Sequence, residues 1–259
     1  MPLVREERRV VCARGHSFDV ARSGYINLLQ PQERRSKHPG DTAAAIAARR
    51  RLHDRGVTAP LARAIADLLA ATPDDVVLDA GCGEGFYLAT LARESGFDAH
   101  GVDISVPAVN LAARRYPPFN SRCEWIVANA DRFVPYADRS FSIVLSITAR
   151  MNPGEFQRVL RDGGRLLVAL SAPDDLIELR GSGRDRVPRT IDTFVNDTFA
   201  KNFALVDQRR VTTSADLDAA AVDDVLHSIY RPMRSQPVEA MSVTFSLDLL
   251  LFRPSEPRP

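Results

Sequence analysis

The chain has 259 residues, of which 45% are hydrophobic and 26% are charged, a balance that is ordinary for a globular protein. No apolar run approaches the length that spans a membrane, and the segment from Met1 to Arg9 is too charged for a secretory signal. Three cysteines are too few for a disulfide framework. These features predict a cytoplasmic enzyme or binding protein and exclude a disulfide-rich secreted scaffold.

The charges are unevenly distributed along the chain, although the net charge is only +1. Residues 1–63 contain 13 Lys and Arg against 6 Asp and Glu, a net charge of +7, and the remainder carries −6. A basic amino-terminal region attached to an acidic body favours contact with a polyanion. The alternative is a set of solvated helix faces.

Residues 1–30 are predicted to form short segments joined by turns, and residues 30–40 are predicted to form a basic loop. Asp41 or Thr42 can cap a helix that runs to about Arg55, and Pro60 opens a second helix. Alternating strands and helices follow. The strands are predicted at 76–80, 98–103, 123–128, 141–147 and 165–171.

The carboxyl-terminal third is predicted to complete one sheet. Glycine and charged residues at 181–190 indicate a flexible loop. The elements predicted after it are a helix near 192–200, a strand at 203–211, a helix at 215–229 and a strand at 241–252. The last two strands would close a seven-stranded sheet, with the final strand antiparallel.

A glycine-rich segment follows the first strand of this sheet. Gly81, Gly83 and Gly85 allow a sharp turn and let the backbone approach a ligand closely. The next strand ends in Asp103, where a carboxylate can accept hydrogen bonds from ribose hydroxyls. Glycines after one strand and an acid after the next indicate a nucleotide-type ligand at the carboxyl edge of a doubly wound sheet.

The acids in this segment separate two classes of cofactor. A dinucleotide site reads Gly-x-Gly-x-x-Gly, whereas here the pattern is Asp-x-Gly-x-Gly-x-Gly, with carboxylates at Asp79 and Glu84. These acids would repel phosphate and suit a cofactor with a cationic amino-acid end. The segment therefore resembles motif I of S-adenosylmethionine-dependent methyltransferases, with Asp103 as their ribose-binding acid. Asn129 and Ala130, after the third strand, are expected at the adenine edge.

Further segments resemble one family within this class, the RlmA-type 23S rRNA guanine-N1 methyltransferases and their macrolide-resistance relatives. The matching segments are Cys12, His16, Phe18-Asp19, Gly24 to Leu29, Pro39-Gly40-Asp41, Ala48-Arg49-Arg50, Leu78 to Tyr87, Asp103-Ile104-Ser105, Ala112 to Pro117 and Leu176 to Leu179. The amino-terminal motifs are specific, because generic methyltransferases lack them. The resemblance covers residues 2 to about 180.

The resemblance implies an α/β fold: a Rossmann-like class I methyltransferase domain at 41–259, preceded by a small zinc-ribbon-like, RNA-recognising extension at 1–40. It implies S-adenosylmethionine as methyl donor and 23S rRNA as substrate, with a homodimer as a possible assembly. It adds Ile104, Thr58 and Asp175 to the cofactor pocket. The basic residues expected at RNA phosphates are Arg34, Arg35, Lys37, Arg49, Arg50 and Arg51.

Two departures from the family pattern concern the zinc site and the target-base pocket. The family's ribbon joins a Cys-x-x-Cys knuckle to Cys-x-x-x-His, and this chain has only the second half, Cys12 and His16, where zinc takes four ligands. Either the ribbon has decayed, or the missing cysteines are encoded just upstream of Met1, which is our expectation. After the fourth strand the family carries aromatic-Ala-Pro, whereas this chain has Thr148-Ala149-Arg150.

The altered segment after the fourth strand favours an alternative function, a small-molecule methyltransferase of secondary metabolism. A second alternative is a non-catalytic RNA-binding relative that keeps the cofactor pocket. The basic amino-terminal region favours RNA and the acid pair favours turnover, so rRNA methylation is the leading hypothesis. Methylation at guanine N1 requires removal of a proton, and no residue spacing identifies the base.

Three other side chains invite a role in chemistry but have a simpler interpretation. Trp125 and Cys123 lie in a predicted strand and are expected in the core. Cys82 is expected to be a small packed residue rather than a nucleophile. His53, on an arginine-rich helix, is expected to be solvated.

Overall fold

The computed structural model describes residues 3–6, 8–30, 39–117, 122–180, 190–229 and 238–255. A small antiparallel sheet near the amino terminus contains β1 (Leu3–Arg5), β2 (Arg9–Cys12) and β3 (Ser17–Asp19). A search of the described residues found no helix with the length and apolar character that a membrane span requires.

A large mixed sheet forms the centre of the remaining structure. Its strands are β4 (Ile26–Asn27), β5 (Val76–Ala80), β6 (Asp98–Asp103), β7 (Cys123–Val127), β8 (Phe141–Ile147), β9 (Leu160–Ser171), β10 (Phe203–Leu217) and β11 (Met241–Pro254). They lie in the order β10-β11-β9-β8-β5-β6-β7-β4, and β11 is antiparallel to both of its neighbours. The seven predicted strands and the antiparallel last strand are confirmed. The eighth strand is the short β4, which pairs in parallel with β7.

Helices pack on both faces of this sheet. They are α1 (Ala43–Asp54), α2 (Ala59–Leu69), α3 (Phe86–Ser95), α4 (Val106–Arg115), α5 (Pro153–Val159), α6 (Ile191–Thr198) and α7 (Ala219–Ser228). Thr42 caps α1, since its hydroxyl accepts a hydrogen bond from the Ala45 amide at 3.2 Å. Helices α2, α3, α4 and α7 contribute to one buried cluster, and α5 contributes to the other.

The core explains why the central strands are apolar on both faces. Val77 and Leu78 are neighbours on β5 and point to opposite sides, yet both are fully buried, as expected for a parallel strand between two helix layers. Trp125 and Cys123 are each 1% exposed, which confirms the prediction that they are core residues. The strand ends at this sheet's carboxyl edge therefore sit on a rigid base.

The boundary between β10 and α7 differs from the prediction of a strand at 203–211 and a helix at 215–229. Strand β10 continues to Leu217 because β11 pairs with it along its whole length. Asp218 then caps α7 by accepting from the Ala221 amide at 2.7 Å. The loop predicted at 181–190 lies outside the described residues except for its last position.

Candidate active site

The glycine loop at the end of β5 has two kinds of glycine. Gly81 and Gly85 have φ of +94° and +80°, and a Cβ on either would collide with a packed neighbour, Ala149 or Trp125. Gly83 has φ of +55°, and the nearest atom to a Cβ there is Arg49 Nη1, 3.9 Å away. The outer glycines thus hold the loop against the core, and Gly83 presents bare backbone to an open space.

Asp103, at the end of β6, fixes the loop from the opposite side. One carboxylate oxygen accepts from the Gly83 amide at 2.9 Å and the other from the Ser105 amide at 2.8 Å. Burial raises the pKa of Asp103, and these two amides act in the opposite direction. Each oxygen keeps a second lone pair, so the oriented carboxylate can still accept from ribose hydroxyls.

Asp79 is a buried acid without a matching cation. It is 2% exposed, and among the described residues its Oδ1 has no hydrogen-bond partner. Burial, followed by the charge of Asp103, raises its pKa to about 8. An unpaired buried carboxylate is costly, so the site favours a ligand that brings positive charge to this oxygen.

Glu84, which was expected to favour the cofactor's cationic portion directly or through water, is held by side chains of the protein itself. It is 2% exposed, and both oxygens face α1: Oε2 accepts from Arg50 Nη1 at 3.1 Å, and Oε1 lies 3.4 Å from His53 Nε2. Burial raises its pKa, and Arg50 acts against that rise. Glu84 therefore ties the glycine loop to α1, which leaves the binding of a cationic ligand to Asp79.

His53 is buried, so the prediction that it is solvated was wrong. Its ring stacks on Phe86 with centroids 4.0 Å apart, and its Nδ1 lies 2.5 Å from the Thr58 hydroxyl. Burial, and then the charges of Arg49 and Arg50, lower its pKa to about 3. A neutral imidazole can donate to Glu84 from Nε2 and accept from Thr58 at Nδ1.

The segment before α1 packs against the loop that follows Asp103. Gly40 has φ of +80°, and a Cβ there would lie 2.8 Å from Ser105 Cβ and 3.1 Å from Ile104 Cγ2. The Ser105 hydroxyl donates to the Asp41 carbonyl at 2.9 Å. The Pro-Gly-Asp motif thus needs its glycine for close approach, and it forms one wall of the site next to Ile104.

Three other residues that were predicted to line the cofactor pocket have contacts within the protein. Asn129, after β7, uses its side-chain oxygen to accept from the Asp131 amide at 3.2 Å, and Ala130 lies in the same turn. Asp175 accepts from the Ser246 amide at 3.0 Å, and burial raises its pKa. The Asp175 charge in turn acts to raise the pKa of Tyr87, a smaller effect than the burial of that phenol.

The segment after β8 is strained and exposed. Thr148 has φ of +49°, an unusual and strained conformation for a β-branched residue. Ala149 packs on Gly81, and Arg150 is 75% exposed in its side chain, with Nη1 3.7 Å from Asp131. The segment therefore borders the glycine loop at Gly81.

The basic residues that were predicted to contact RNA fall into two groups, one outside the described residues and one on α1. Arg34, Arg35 and Lys37 lie outside the described residues. Each arginine of α1 instead has an acid within the protein: Arg49 with Asp41, Arg50 with Glu84 and Asp54, and Arg51 with Asp224. Arg50 is buried as well, so its expected role at phosphate is corrected to an internal one.

The expected zinc ligands Cys12 and His16 lie close together. Cys12 Sγ and His16 Nδ1 are 3.4 Å apart at the turn between β2 and β3. Among the described residues, no group of three or more His, Cys, Asp or Glu side chains is placed to hold a metal. The two ligands meet half of zinc's tetrahedral requirement, so no step below depends on zinc.

The sequence analysis missed two features of the site. Arg50 and His53 each contact Glu84, and Gly40 and Asp41 pack against the loop after β6. A signal for the first was present, because Arg50, His53 and Asp54 are spaced by three and four residues and share one face of α1. The second depends on long-range packing, which spacing along the chain does not reveal.

Comparison with known proteins identifies both parts of the chain. Residues 1–37 match the family described as RlmA, N-terminal, a zinc ribbon, and residues 77–168 match a methyltransferase domain. The 23S rRNA (guanine(748)-N(1))-methyltransferase of Streptomyces fradiae is 38% identical over 232 residues, which covers 87% of this chain and 80% of the relative. A relative in Micromonospora griseorubida, provisionally assigned as a 23S rRNA (guanine-N(1)-)-methyltransferase, is 36% identical over 215 residues, which cover 76% of this chain and 70% of the relative.

Solved structures support the fold at low sequence identity. The crystal structure of a Pyrococcus horikoshii OT3 protein has a TM-score of 0.51 at 19% identity, and the matched region covers 78% of this chain and 91% of that protein. The sheet order, the glycine loop and the match to a methyltransferase domain define an S-adenosylmethionine-dependent class I methyltransferase. Within that class, the chain belongs to the RlmA-type family of 23S rRNA guanine-N1 methyltransferases.

The site's residues fit S-adenosylmethionine. The unpartnered Asp79 oxygen suits the cofactor's positive charge, Asp103 suits its ribose, and the backbone at Gly83 is open. When bound, the cofactor supplies a methyl group activated by a sulfonium.

Proposed function

We propose that this chain methylates N1 of a guanine in 23S rRNA. The observation that carries the proposal is the similarity to the Streptomyces fradiae enzyme, which extends over 87% of this chain and is accompanied by the RlmA amino-terminal segment at 1–37. A generic methyltransferase domain alone would not favour rRNA. The two parts are joined by the segment before α1, which packs against the loop that follows Asp103.

In this proposal the protein acts mainly by position and electrostatics. Asp103 and the Gly81–Gly85 loop hold the cofactor, with Ile104 and the Asn129–Ala130 turn at its ribose and adenine end. Asp79 stabilises its positive charge. Glu84 and Thr58 act indirectly, because Glu84 holds the glycine loop to α1 and the Thr58 hydroxyl is paired with His53, whereas Asp175 lines the pocket. Methyl transfer in line with a held nucleophile then gains from proximity and orientation.

The proposal predicts a new block on the Watson–Crick edge of one rRNA guanine. Unmodified 23S rRNA incubated with the protein and S-adenosylmethionine should give a single nuclease fragment heavier by one methyl group and a reverse-transcription stop at the same guanine. Asp103→Ala is the matched control, since it removes the ribose acceptor and should abolish both signals. Methylation of another atom, or of no RNA fragment by an active preparation, would contradict the proposal.

We further propose that the basic loop contacts rRNA phosphates through Arg34, Arg35 and Lys37. The α1 arginines are left out because each has an internal acid. Replacing the three loop residues with glutamine should reduce the log–log salt slope of RNA binding by about 2, since each lost phosphate contact removes counterion release. Gel-shift titrations with an rRNA hairpin at several salt concentrations measure this slope.

Cofactor binding provides the control for the loop variant. The replaced residues are distant in sequence from the glycine loop, so calorimetry should give an unchanged affinity for S-adenosylmethionine. An unchanged salt slope would remove the loop from the proposed RNA interface.

The second candidate function is methylation of a small molecule. It is favoured by the exposed Thr148–Arg150 segment, which has Thr148 where the family pattern has an aromatic residue. Methylated product in a metabolite extract, with rRNA fragment masses unchanged by the gene, would favour this candidate.

Two further expectations belong to the rRNA proposal. An enzyme that modifies ribosomal RNA acts in the cytoplasm, where that RNA is found in bacteria. A homodimer is proposed as its assembly, and sedimentation of the purified protein with and without RNA measures it.

A further inference from the structure

The charges of the cofactor leave one requirement that the acids of the site do not meet. S-adenosylmethionine carries two positive groups, the sulfonium and the ammonium, and one negative group, the carboxylate of its methionine portion. Asp79 and Asp103 suit the positive groups and the ribose. A carboxylate next to these acids needs a cation of its own.

Two arginines lie next to the glycine loop, and one of them is fully engaged. Arg50 is buried, and its guanidinium donates to Glu84, to Asp54 and to the Tyr116 hydroxyl at 2.8 Å. Removing the bond to Glu84 would leave a buried acid without its cation. Arg50 is therefore not available to a ligand.

Arg49 has the geometry that Arg50 lacks. Its Nη1 is 3.9 Å from the Cβ position of Gly83, the glycine whose backbone is open. Its side chain is 31% exposed, and it donates to the Asp41 carboxylate and to the Ser228 carbonyl, both at 2.7 Å. Asp41 is itself 26% exposed and lies in the segment before α1.

We propose that Arg49 binds the carboxylate of the cofactor's methionine portion and exchanges Asp41 for it when the cofactor enters. Arg49 then binds the negatively charged end of the cofactor. The Asp41 carboxylate is released, while its backbone carbonyl keeps the hydrogen bond from the Ser105 hydroxyl. The proposal depends on the cofactor and not on the methyl acceptor, so it can fail or hold independently of rRNA methylation.

The test compares S-adenosylmethionine with decarboxylated S-adenosylmethionine, which lacks only the carboxylate. By calorimetry, the parent should bind the intact cofactor about 10- to 100-fold more tightly, the range expected for a hydrogen bond between charged groups. In Arg49→Gln this preference should fall to near unity, through weaker binding of the intact cofactor. Because both ligands are measured on the same protein, a general loss of structure would weaken both and leave their ratio unchanged.

Three variants sharpen the result. Arg51→Gln is the matched control, since it removes a neighbouring arginine paired with Asp224 and should keep the parent's preference. Arg49→Lys should restore part of the preference, because it keeps the charge but not the two-pronged geometry. Asp41→Asn should bind the intact cofactor as tightly as the parent or more tightly, because it removes the competing acid.

An Arg49→Gln protein that keeps the parent's preference would overturn the proposal. So would an equal loss of preference in Arg51→Gln, which would indicate an unspecific effect of charge on α1.

Discussion

Arg50→Ala should destabilise the protein by about 3–5 kcal/mol, the cost typical of removing one partner from a buried ion pair. The reason is that Glu84 is 2% exposed and would lose its guanidinium while remaining buried. Asp54 would also lose a partner, although it is more exposed and keeps Arg115 at 2.7 Å. Urea unfolding at pH 7 measures the change in the free energy of unfolding.

Two controls separate the buried pair from a general effect of removing an arginine. Arg55→Ala removes an arginine from a pair that is exposed on both sides, since the Arg55 side chain is 44% exposed and that of Asp218 is 61% exposed, and exposed pairs contribute about 0–1 kcal/mol. Arg50→Met combined with Glu84→Gln removes both charges and should recover much of the loss. A single Arg50→Ala variant no less stable than Arg55→Ala would show that the pair does not hold α1 to the glycine loop.

The central sheet could be predicted from the sequence because its signals are local. The apolar strand Val76–Ala80, the three glycines after it and Asp103 at the next strand end follow from hydrophobic runs and backbone requirements within a few residues. The same holds for Thr42 as the helix cap. In each case the residue's own conformation determines the outcome.

The partners of α1 could not be predicted in the same way. A run of three arginines has the same composition whether it faces solvent, RNA or acids. Two of the acids concerned, Glu84 and Asp224, lie 34 and 173 positions away along the chain. His53 was misjudged for the same reason, since its burial depends on Phe86 and Thr58. The true length of β10 depended on its pairing with β11, which its own small polar residues do not reveal.

These contacts change how the amino-terminal region relates to the active site. Helix α1 is attached to the glycine loop through Glu84, and the segment before it contacts the loop after β6 at Ile104 and Ser105. The basic loop at 30–40 leads directly into this segment. A displacement of residues 40–54 would therefore reach the glycine loop and the loop after β6 through these two contacts.

Asp79 should make cofactor binding depend on pH. Because its pKa is about 8 in the free protein, it carries a proton at pH 7, and a cationic ligand favours the ionised form. Binding should therefore release a proton, and affinity should rise by up to about tenfold per pH unit below pH 8 and then level off. Calorimetry in buffers of different ionisation enthalpy measures the proton released.

Asp79→Asn isolates this contribution, since any titration of the cofactor itself is the same for both proteins. The variant should bind S-adenosylmethionine about 10- to 100-fold more weakly at pH 8 and lose the proton release assigned to Asp79. The same pKa determines stability with the opposite consequence. The folded-state pKa lies above the ordinary value of 3.8, so the folded protein holds a proton that the unfolded chain has lost. Raising the pH from about 4 to 8 therefore destabilises the parent.

The size of this effect follows from one proton: the free energy of unfolding should fall by about 1.4 kcal/mol per pH unit in that window from Asp79 alone. Asp79→Asn lacks this contribution, so its stability should decline less steeply and exceed that of the parent at pH 8. Urea unfolding of both proteins at pH 5.5, 7 and 8 measures the difference in slope. Parallel slopes, with equal proton release on binding, would mean that Asp79 is already ionised in the free protein. Weaker cofactor binding together with higher stability of Asp79→Asn at pH 8 is the result expected of a carboxylate that destabilises the free fold and stabilises a bound cation.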